Sequence, residues 1–248
     1  MKLFVLTYFV MASEEQISPR HLADSSFHKF ASTTVHHLRE PVRAVNIFAN
    51  LIQQSELGTL SKDSLESFEY LKNAAGKMQN LLDGLAEFAA ASAGPSQTAV
   101  FDLNLPLSQA LTSLREDIEL HKVKLTKNVL PSARFDFDQL QLVFHHLLKN
   151  ALEYSDSQGL EISISAHRTE THWHIAIKDN GPGIDEMYHH QIFNLYSRLH
   201  GPSYPGNGLG LAICKTILNN HSGDIWVKST VNDGSTFVFT LPHFGIDS

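Results

Sequence analysis

Five short stretches of this sequence carry side chains able to do chemistry, and each gains meaning from its spacing. The first is Val35-His36-His37-Leu38-Arg39-Glu40-Pro41. At about 100° per residue on a helix, His36 shares a face with Arg39, Glu40, Arg43 and Asn50, and Ile47 is the one apolar member. His37 falls on the arc of Pro41, Ala44, Phe48 and Leu51, nearer the buried side. His36 is therefore the histidine held toward water, where a neutral imidazole is a competent nucleophile near neutral pH. Pro41 removes a backbone hydrogen bond and kinks the helix one turn later.

The second stretch is Leu147 to Ser155, an apolar helix pattern with Asn150 in its polar gap. An amide carbonyl there suits Mg²⁺, a hard ion that takes oxygen ligands and travels with nucleotide phosphates. The third, Asp179-Asn180-Gly181-Pro182-Gly183-Ile184-Asp185, follows a strand pattern. Its glycines let the backbone turn tightly against a ligand, and the Asp179 carboxylate at a strand end can accept the amino group of adenine. The fourth, Gly206-Asn207-Gly208-Leu209-Gly210-Leu211-Ala212, opens a helix whose first amides can cradle phosphate. It is no dinucleotide fingerprint, because a long loop precedes it in place of a strand. The fifth is Gly234-Ser235-Thr236-Phe237, entering the last strand. Taken singly, each has a plain structural explanation: surface histidine, core asparagine, a turn capped by Asp185, a helix start.

These residues need elements to hold them. Leu38, Val42, Val45, Ala49 and Ile52 recur at helical spacing, and Leu71, Ala75, Met78, Leu82, Leu85 and Ala89 keep a stricter three-four alternation. Glu56 to Thr59 breaks the two, which predicts a helical hairpin. One hairpin cannot cover both apolar faces, so pairing of two as a homodimeric four-helix bundle is expected. Ser92 to Ser96 reads as a linker. Beyond it the pattern predicts a helix through Leu107, Leu111, Leu114 and Ile118 with Pro106 at its start, and strands at Lys122–Val129 and Ala133–Phe137. A helix through Leu140, Phe144, Leu147, Leu148 and Ala151 follows. Alternation then predicts strands at Leu160–Ala166 and Trp173–Ile177, a helix over Leu209–Asn220, and strands at Ile225–Lys228 and Thr236–Leu241. The fold class is α + α/β, one sheet covered by helices after a helical domain.

Composition narrows the field. A net charge of −7 gives no footprint for nucleic acid or an anionic membrane surface. The single cysteine, Cys214, excludes an internal disulfide and fits a reducing cytoplasm. The longest mostly apolar run, Leu3–Ala12, is about half of what a membrane span requires. Residues 1–20 read as a tail, with Met11 a preferred alternative start. The 15 histidines show no His-Glu-x-x-His spacing and no cysteine partners for a metal.

In order, the five stretches and Ile192–His200 resemble the sequence boxes of sensor histidine kinases of two-component systems. His36 to Arg43 is similar to their phosphoacceptor box, closest to the His-Asp-Leu-Gln-Glu-Pro-Leu-Arg form of phytochrome-type kinases. Leu147–Ser155 resembles the N box, Asp179–Asp185 the first glycine box, Ile192–His200 the phenylalanine box, Gly206–Ile213 the second glycine box, and Gly234–Phe237 the last. The likeness covers about residues 22–242. It implies a dimerisation and phosphotransfer domain at residues 21–93, a linker at 94–99 and a Bergerat-type ATP-binding α/β sandwich of the GHKL superfamily at 100–248. It implies ATP and Mg²⁺ as cofactors, a response-regulator receiver domain as partner, and a sensor supplied by another chain or a missing domain. His36 would be the phosphoacceptor, Asn150 the Mg²⁺ ligand and Asp179 the adenine ligand. Gly181, Gly183, Gly206, Gly208 and Gly210 would shape the loops, with Tyr154, Arg198, Leu211 and Thr236 also at the nucleotide. Residues about 195–207 would form a short lid.

Four positions depart from the family pattern. His37 stands where an acidic base usually follows the phosphoacceptor. Glu40 stands where phosphatase-competent kinases carry Thr or Asn. His146 replaces the first Asn of the N box, and Glu153 replaces a basic residue. A carboxylate near phosphate repels it unless offset, and Lys149 lies one turn before Glu153. A hydrolysing ATPase of the same superfamily is a rival, weakened by His146 where such enzymes place their water-activating Glu. A non-catalytic nucleotide-binding or phosphorelay scaffold is the second, supported by the same departures and opposed by the intact glycine boxes. With γ-labelled ATP, His36→Gln should abolish acid-labile, base-stable labelling, His37→Gln should only slow it, and His37→Glu should label as fast as wild type or faster. Labelling that survives His36→Gln and disappears in His37→Gln would move the acceptor by one residue.

Overall fold

The computed structural model describes residues 35, 38–39, 42–50, 62–154, 159–198 and 207–243. Helix α1 is seen at 35, 38–39 and 42–50, and α2 runs over Lys62–Ser92. Val35 and Val42 of α1 cluster with Leu82, Leu85 and Ala86 of α2, and Arg39 pairs with Asp83 at 2.6 Å. Most buried positions follow a seven-residue beat, Val35, Val42 and Ala49 on α1 and Ala75, Leu82 and Ala89 on α2, with Gly84 and Ala91 also buried on α2. The expected stripes were wider than the buried seam. Leu38, Val45, Leu71 and Met78 are 40–49% exposed, and Phe48, placed near the buried side by sequence, is 64% exposed. Two packed helices cover only the narrow line between them, so the flanking apolar positions of a lone hairpin stay open.

After the turn at Ala93, Gly94 takes a left-handed φ of 84° and the chain enters β1 (Ala99–Asp102). This strand was not expected from sequence; four residues carry too little alternation to announce it. It pairs antiparallel with β3 (Ser132–Phe135). The single helix expected around Leu107–Ile118 is two, α3 (Asn104–Ser113) and α4 (Arg115–Leu120), broken at Leu114. Leu114 is buried while Ser113 turns its hydroxyl back to the Ala110 carbonyl, a local bond that competes with helix continuation. Glu116 and Asp117 then favour a new N-terminus. Pro106 is the third residue of α3 rather than its start.

β2 (Lys124–Lys127) is shorter than expected because Lys122 adopts φ 49° in a turn. β3 stops at Phe135 because Asp136 caps α5 (Phe137–Glu153), its side chain accepting the Gln139 N–H. β4 (Glu161–Arg168), β5 (His172–Asp179), α6 (Gly210–Asn220), β6 (Ile225–Ser229) and β7 (Ser235–Pro242) fall close to expectation. Two 3-10 turns, Glu186–Tyr188 and Gln191–Phe193, lie between β5 and α6.

The main sheet has the order β2-β4-β5-β7-β6, with β2 parallel to β4 and the other pairs antiparallel. Ile162, Ile164, Ile175, Ile177, Phe237 and Phe239 point into a core shared with α3, α5 and α6. Helix α5 buries Leu140, Val143, Phe144, Leu147, Leu148, Ala151 and Leu152, a complete three-four stripe. Each such side chain contributes about 1.5–3 kcal/mol of burial. The opposite face of the sheet carries the row Ser163, Lys178, Thr236, Lys228, and an antiparallel sheet tolerates water on one side. Cys214 is fully buried on α6, its Sγ 3.8 Å from the Val143 carbonyl, and burial raises its thiol pKa.

Asp136 also fastens the segment before β1. Beyond the Gln139 N–H, its carboxylate accepts the N–H groups of Ser96 and Gln97 and the Ser96 hydroxyl. Burial works to raise its pKa, and these donors outweigh that, holding it below the usual carboxylate range. Asp136→Ala should cost roughly 3 kcal/mol by urea denaturation, since it removes a cap and strands buried donors. The Asp136 contribution is fully present above the unfolded carboxylate value of about 3.9 and is lost as pH falls through the lower folded value. The wild-type minus Asp136→Ala stability difference should therefore shrink in acid.

Candidate functional site

The polar face of α5, the turn after β5 and the start of α6 enclose a cavity of about 360 Å³, a size suited to a small-molecule ligand. Asn80, Asp83, Gly84 and Glu87 of α2 close one side of it.

Asp179 ends β5 and is 6% exposed. Its Oδ1 accepts N–H groups from Gly181 at 2.8 Å and Ser235 at 3.2 Å. Burial raises the carboxyl pKa, and the N–H groups of Gly181, Ser235 and Asp179 itself oppose that without cancelling it. Both partners sit on Oδ1, which leaves Oδ2 as the atom available to a ligand's donor. The turn that follows is built for close approach. Gly183 has φ 73°, and a Cβ there would strike the Thr230 carbonyl. Asn232 N–H donates to the Pro182 carbonyl and Ile184 N–H to the Ser229 hydroxyl, so the β6–β7 region sets the turn's height.

On α5 the face opposite the apolar stripe presents His145, His146, Lys149, Asn150 and Glu153, with Tyr154 at the C-cap. Lys149 stands 3.8 Å from Glu153, the partnership its one-turn spacing predicts. Burial raises the Glu153 carboxyl pKa, with Lys149 and His146 opposing. The Tyr154 hydroxyl is raised by burial and by Glu153, with Arg198 opposing. His146 Nε2 lies 3.1 Å from Glu87 Oε2 on α2. That partner lowers the Glu87 pKa despite burial. Burial lowers the pKa of His145, which meets the Ser113 hydroxyl at 3.0 Å. Among the described residues, His146 Nε2 and Ser197 Oγ are buried polar atoms without an aligned hydrogen bond, and both residues line the cavity.

The α6 end completes the wall. Gly208 has φ 70° and lies against the Tyr196–Ser197 backbone, and Asn207 bridges to α2 by donating to the Asn80 carbonyl at 2.9 Å. Asn150, Tyr154, Asp179, Gly183, Gly208, Gly210 and Leu211 all line one cavity. Gly181 acts one step back, through Asp179. Arg198 is exposed and off the cavity wall, close enough to act on Tyr154. Thr236 does not reach the cavity: strand alternation puts it in the outward row between Lys178 and Lys228, and Ser235 lines the wall in its place. His36, His37 and Gly206 lie outside the described residues. The α2 wall was missed from sequence. Its signal was Gly84, a residue costing about 1 kcal/mol inside a helix, whose Cβ would collide with Asn207 and Leu209.

The architecture and cavity define a class. Residues 135–244 match the family described as histidine kinase-, DNA gyrase B- and HSP90-like ATPases. Within that superfamily its relatives are sensor histidine kinases, which supports a histidine kinase catalytic core. It is 31% identical over 221 residues to phytochrome-like protein Cph1 of Synechocystis sp., covering 89% of this chain and 30% of that protein. It is 32% identical to adaptive-response sensory kinase SasA of a Synechococcus strain, covering 84% of this chain and 57% of the relative. The chain therefore spans between about a third and three fifths of these relatives. Among solved structures, full-length ShkA shares the fold with a TM-score of 0.67 at 20% identity, over 86% of this chain and 45% of that one. The catalytic domain of histidine kinase ThkA matches at TM-score 0.52 and 25% identity, over 59% of this chain and 97% of that one. No described helix is long and apolar enough to cross a membrane.

Gly183 and Gly94 share a left-handed φ, but only Gly183 faces an obstruction. Gly94→Ala should cost about 1 kcal/mol and Gly183→Ala at least about 2 kcal/mol by urea denaturation. Equal costs would mean that the turn after β5 can retreat from Thr230.

Proposed function

We propose that this chain is the catalytic core of a protein-histidine kinase that phosphorylates itself on His36 at the expense of ATP and passes the phosphoryl group to an aspartate of a response-regulator receiver. The observation that carries the reading is the convergence of Asp179, Asn150 and the glycine turns on one cavity. Asp179 Oδ2 would accept the adenine amino group, while Gly181 and Ser235 hold Oδ1. The amides at the start of α6 would face the phosphates. Asn150, which lines the cavity together with Glu153, fits as a Mg²⁺ ligand; a bound Mg²⁺ neutralises phosphate charge. A ring nitrogen of His36 attacks the γ-phosphorus, the bond to the bridging oxygen breaks, and ADP leaves with those electrons. His37 would take up the proton. Transfer of this kind demands mainly positioning and charge compensation.

ShkA was solved in complex with AMPPNP and ThkA with the response regulator TrrA. These are precedents for both ligands on this fold. The exposed Leu38, Val45, Phe48, Leu71 and Met78 support a homodimeric bundle formed by residues 21–93, followed by the 94–99 linker and the ATP-binding domain at 100–248. Sensor input from another chain or domain and a cytoplasmic setting complete the proposal. The cavity's Glu87 and Glu153 favour a second reading, a nucleotide-binding scaffold that does not transfer phosphate. Asp179→Ala should weaken ADP binding by about ten-fold or more by calorimetry, as loss of a charge-assisted hydrogen bond does. Unchanged affinity would falsify the site. Binding without acid-labile labelling from γ-labelled ATP would leave the scaffold.

A further inference from the structure

The helix preceding the linker puts a carboxylate at the anion-binding end of the pocket. Glu87 Oε2 lies 3.1 Å from His146 Nε2. The other ring nitrogen abuts Gly210, in the first turn of α6, where a Cβ would stand 3.0 Å from Nδ1. A carboxylate, an imidazole and a helix N-terminus therefore stand in sequence, and the last two are groups that attract phosphate. The His146 ring nitrogen facing Glu87 is sealed from solvent without an aligned hydrogen bond, so the carboxylate satisfies it imperfectly.

The neighbouring charges single out Glu87. Asp83, one turn earlier on α2, is paired with Arg39. On α5, Lys149 stands by Glu153, and His145 is bonded to Ser113. Glu87 stays ionised at neutral pH, its pKa lowered first by His146. The rest of α2 meets the catalytic unit through a few uncharged contacts. Asn207 donates to the Asn80 carbonyl, Asn220 donates to the Ala91 carbonyl at 2.8 Å, and Gly84 admits Asn207 and Leu209.

We infer that Glu87 is an internal stand-in for the terminal phosphate of a nucleoside triphosphate, competing with it for His146 and the start of α6. This rests on the cavity being the nucleotide site and adds a selectivity to it. A diphosphate ends one phosphate short and is compatible with Glu87 in place. A triphosphate brings like charge onto Glu87 and must expel it, loosening α2 from the catalytic unit. Glu87 thereby makes the docked form prefer the diphosphate and ties triphosphate binding to release of the helix.

Calorimetry on the full chain with Mg²⁺-AMPPNP and Mg²⁺-ADP tests this. Glu87→Gln should tighten AMPPNP about ten-fold and ADP by no more than about two-fold. In wild type, amide exchange over residues 80–91 should rise with AMPPNP and not with ADP, and in Glu87→Gln it should be raised before nucleotide is added. His146→Gln, which removes the anchor, should raise that exchange without tightening AMPPNP. An equal effect of Glu87→Gln on both nucleotides, or helix exchange indifferent to AMPPNP, overturns the competition while leaving the nucleotide site intact. Wild-type protein that binds neither nucleotide overturns the site itself, and the competition with it.

Discussion

The Asp136 carboxylate is the knot through which the two halves of the chain are held together. It is 3% exposed and gathers donors from Ser96, Gln97 and Gln139. An ionised group in such a place persists only because four donors meet it, one on Oδ1 and three on Oδ2. The same contact sets where α5 begins, and α5 carries both the core stripe and the polar face of the pocket. Around it, Gln139 donates to the Gly94 carbonyl and meets His221, whose ring stacks on Phe135 at 3.6 Å. The segment between helix and catalytic unit is thus a fastened strap, and the angle of α2 is inherited from the core.

Electrostatics in the pocket follow from that geometry. Because α2 is held close, Asp83 and Glu87 arrive from the hairpin side to meet the histidines, Lys149 and Glu153 of α5. Each acidic group finds a different resolution. Glu87 leans on His146, Glu153 on Lys149, and Asp179 takes backbone amides. Burial dominates at Glu153 and Asp179, whose pKa values rise, and the imidazole partner dominates at Glu87, whose pKa falls. The departures at His146 and Glu153 are in this sense structural as well as chemical. Each gives a neighbouring side chain something to pair with.

Much of the architecture was legible because its elements are long and periodic. The α5 stripe and the alternation of β4 and β5 state their buried faces directly, and the glycine clusters marked the turns that border the cavity. The short strand β1, the break at Leu114 and the early end of β2 were hidden because single side-chain bonds and turn residues decide them, and periodicity is blind to both. At the site, residues brought by glycine turns or by one helix face were readable. Ser235 was displaced by Thr236 because the order of inward and outward positions in a strand depends on register with its neighbours. The α2 wall was unreadable for a deeper reason. It depends on how the hairpin and the sheet domain dock, which only the isolated Gly84 betrayed.

Cys214 has a practical corollary. The chain's sole thiol is buried on α6 and its pKa is raised by that burial, so the thiolate that alkylating and oxidising reagents need is scarce. The native sequence is therefore a quiet background for maleimide or nitroxide chemistry. Cysteines introduced singly on the outer surfaces of α2 and of the sheet could be tagged in the otherwise unaltered protein, and the distance between the two units measured with and without nucleotide.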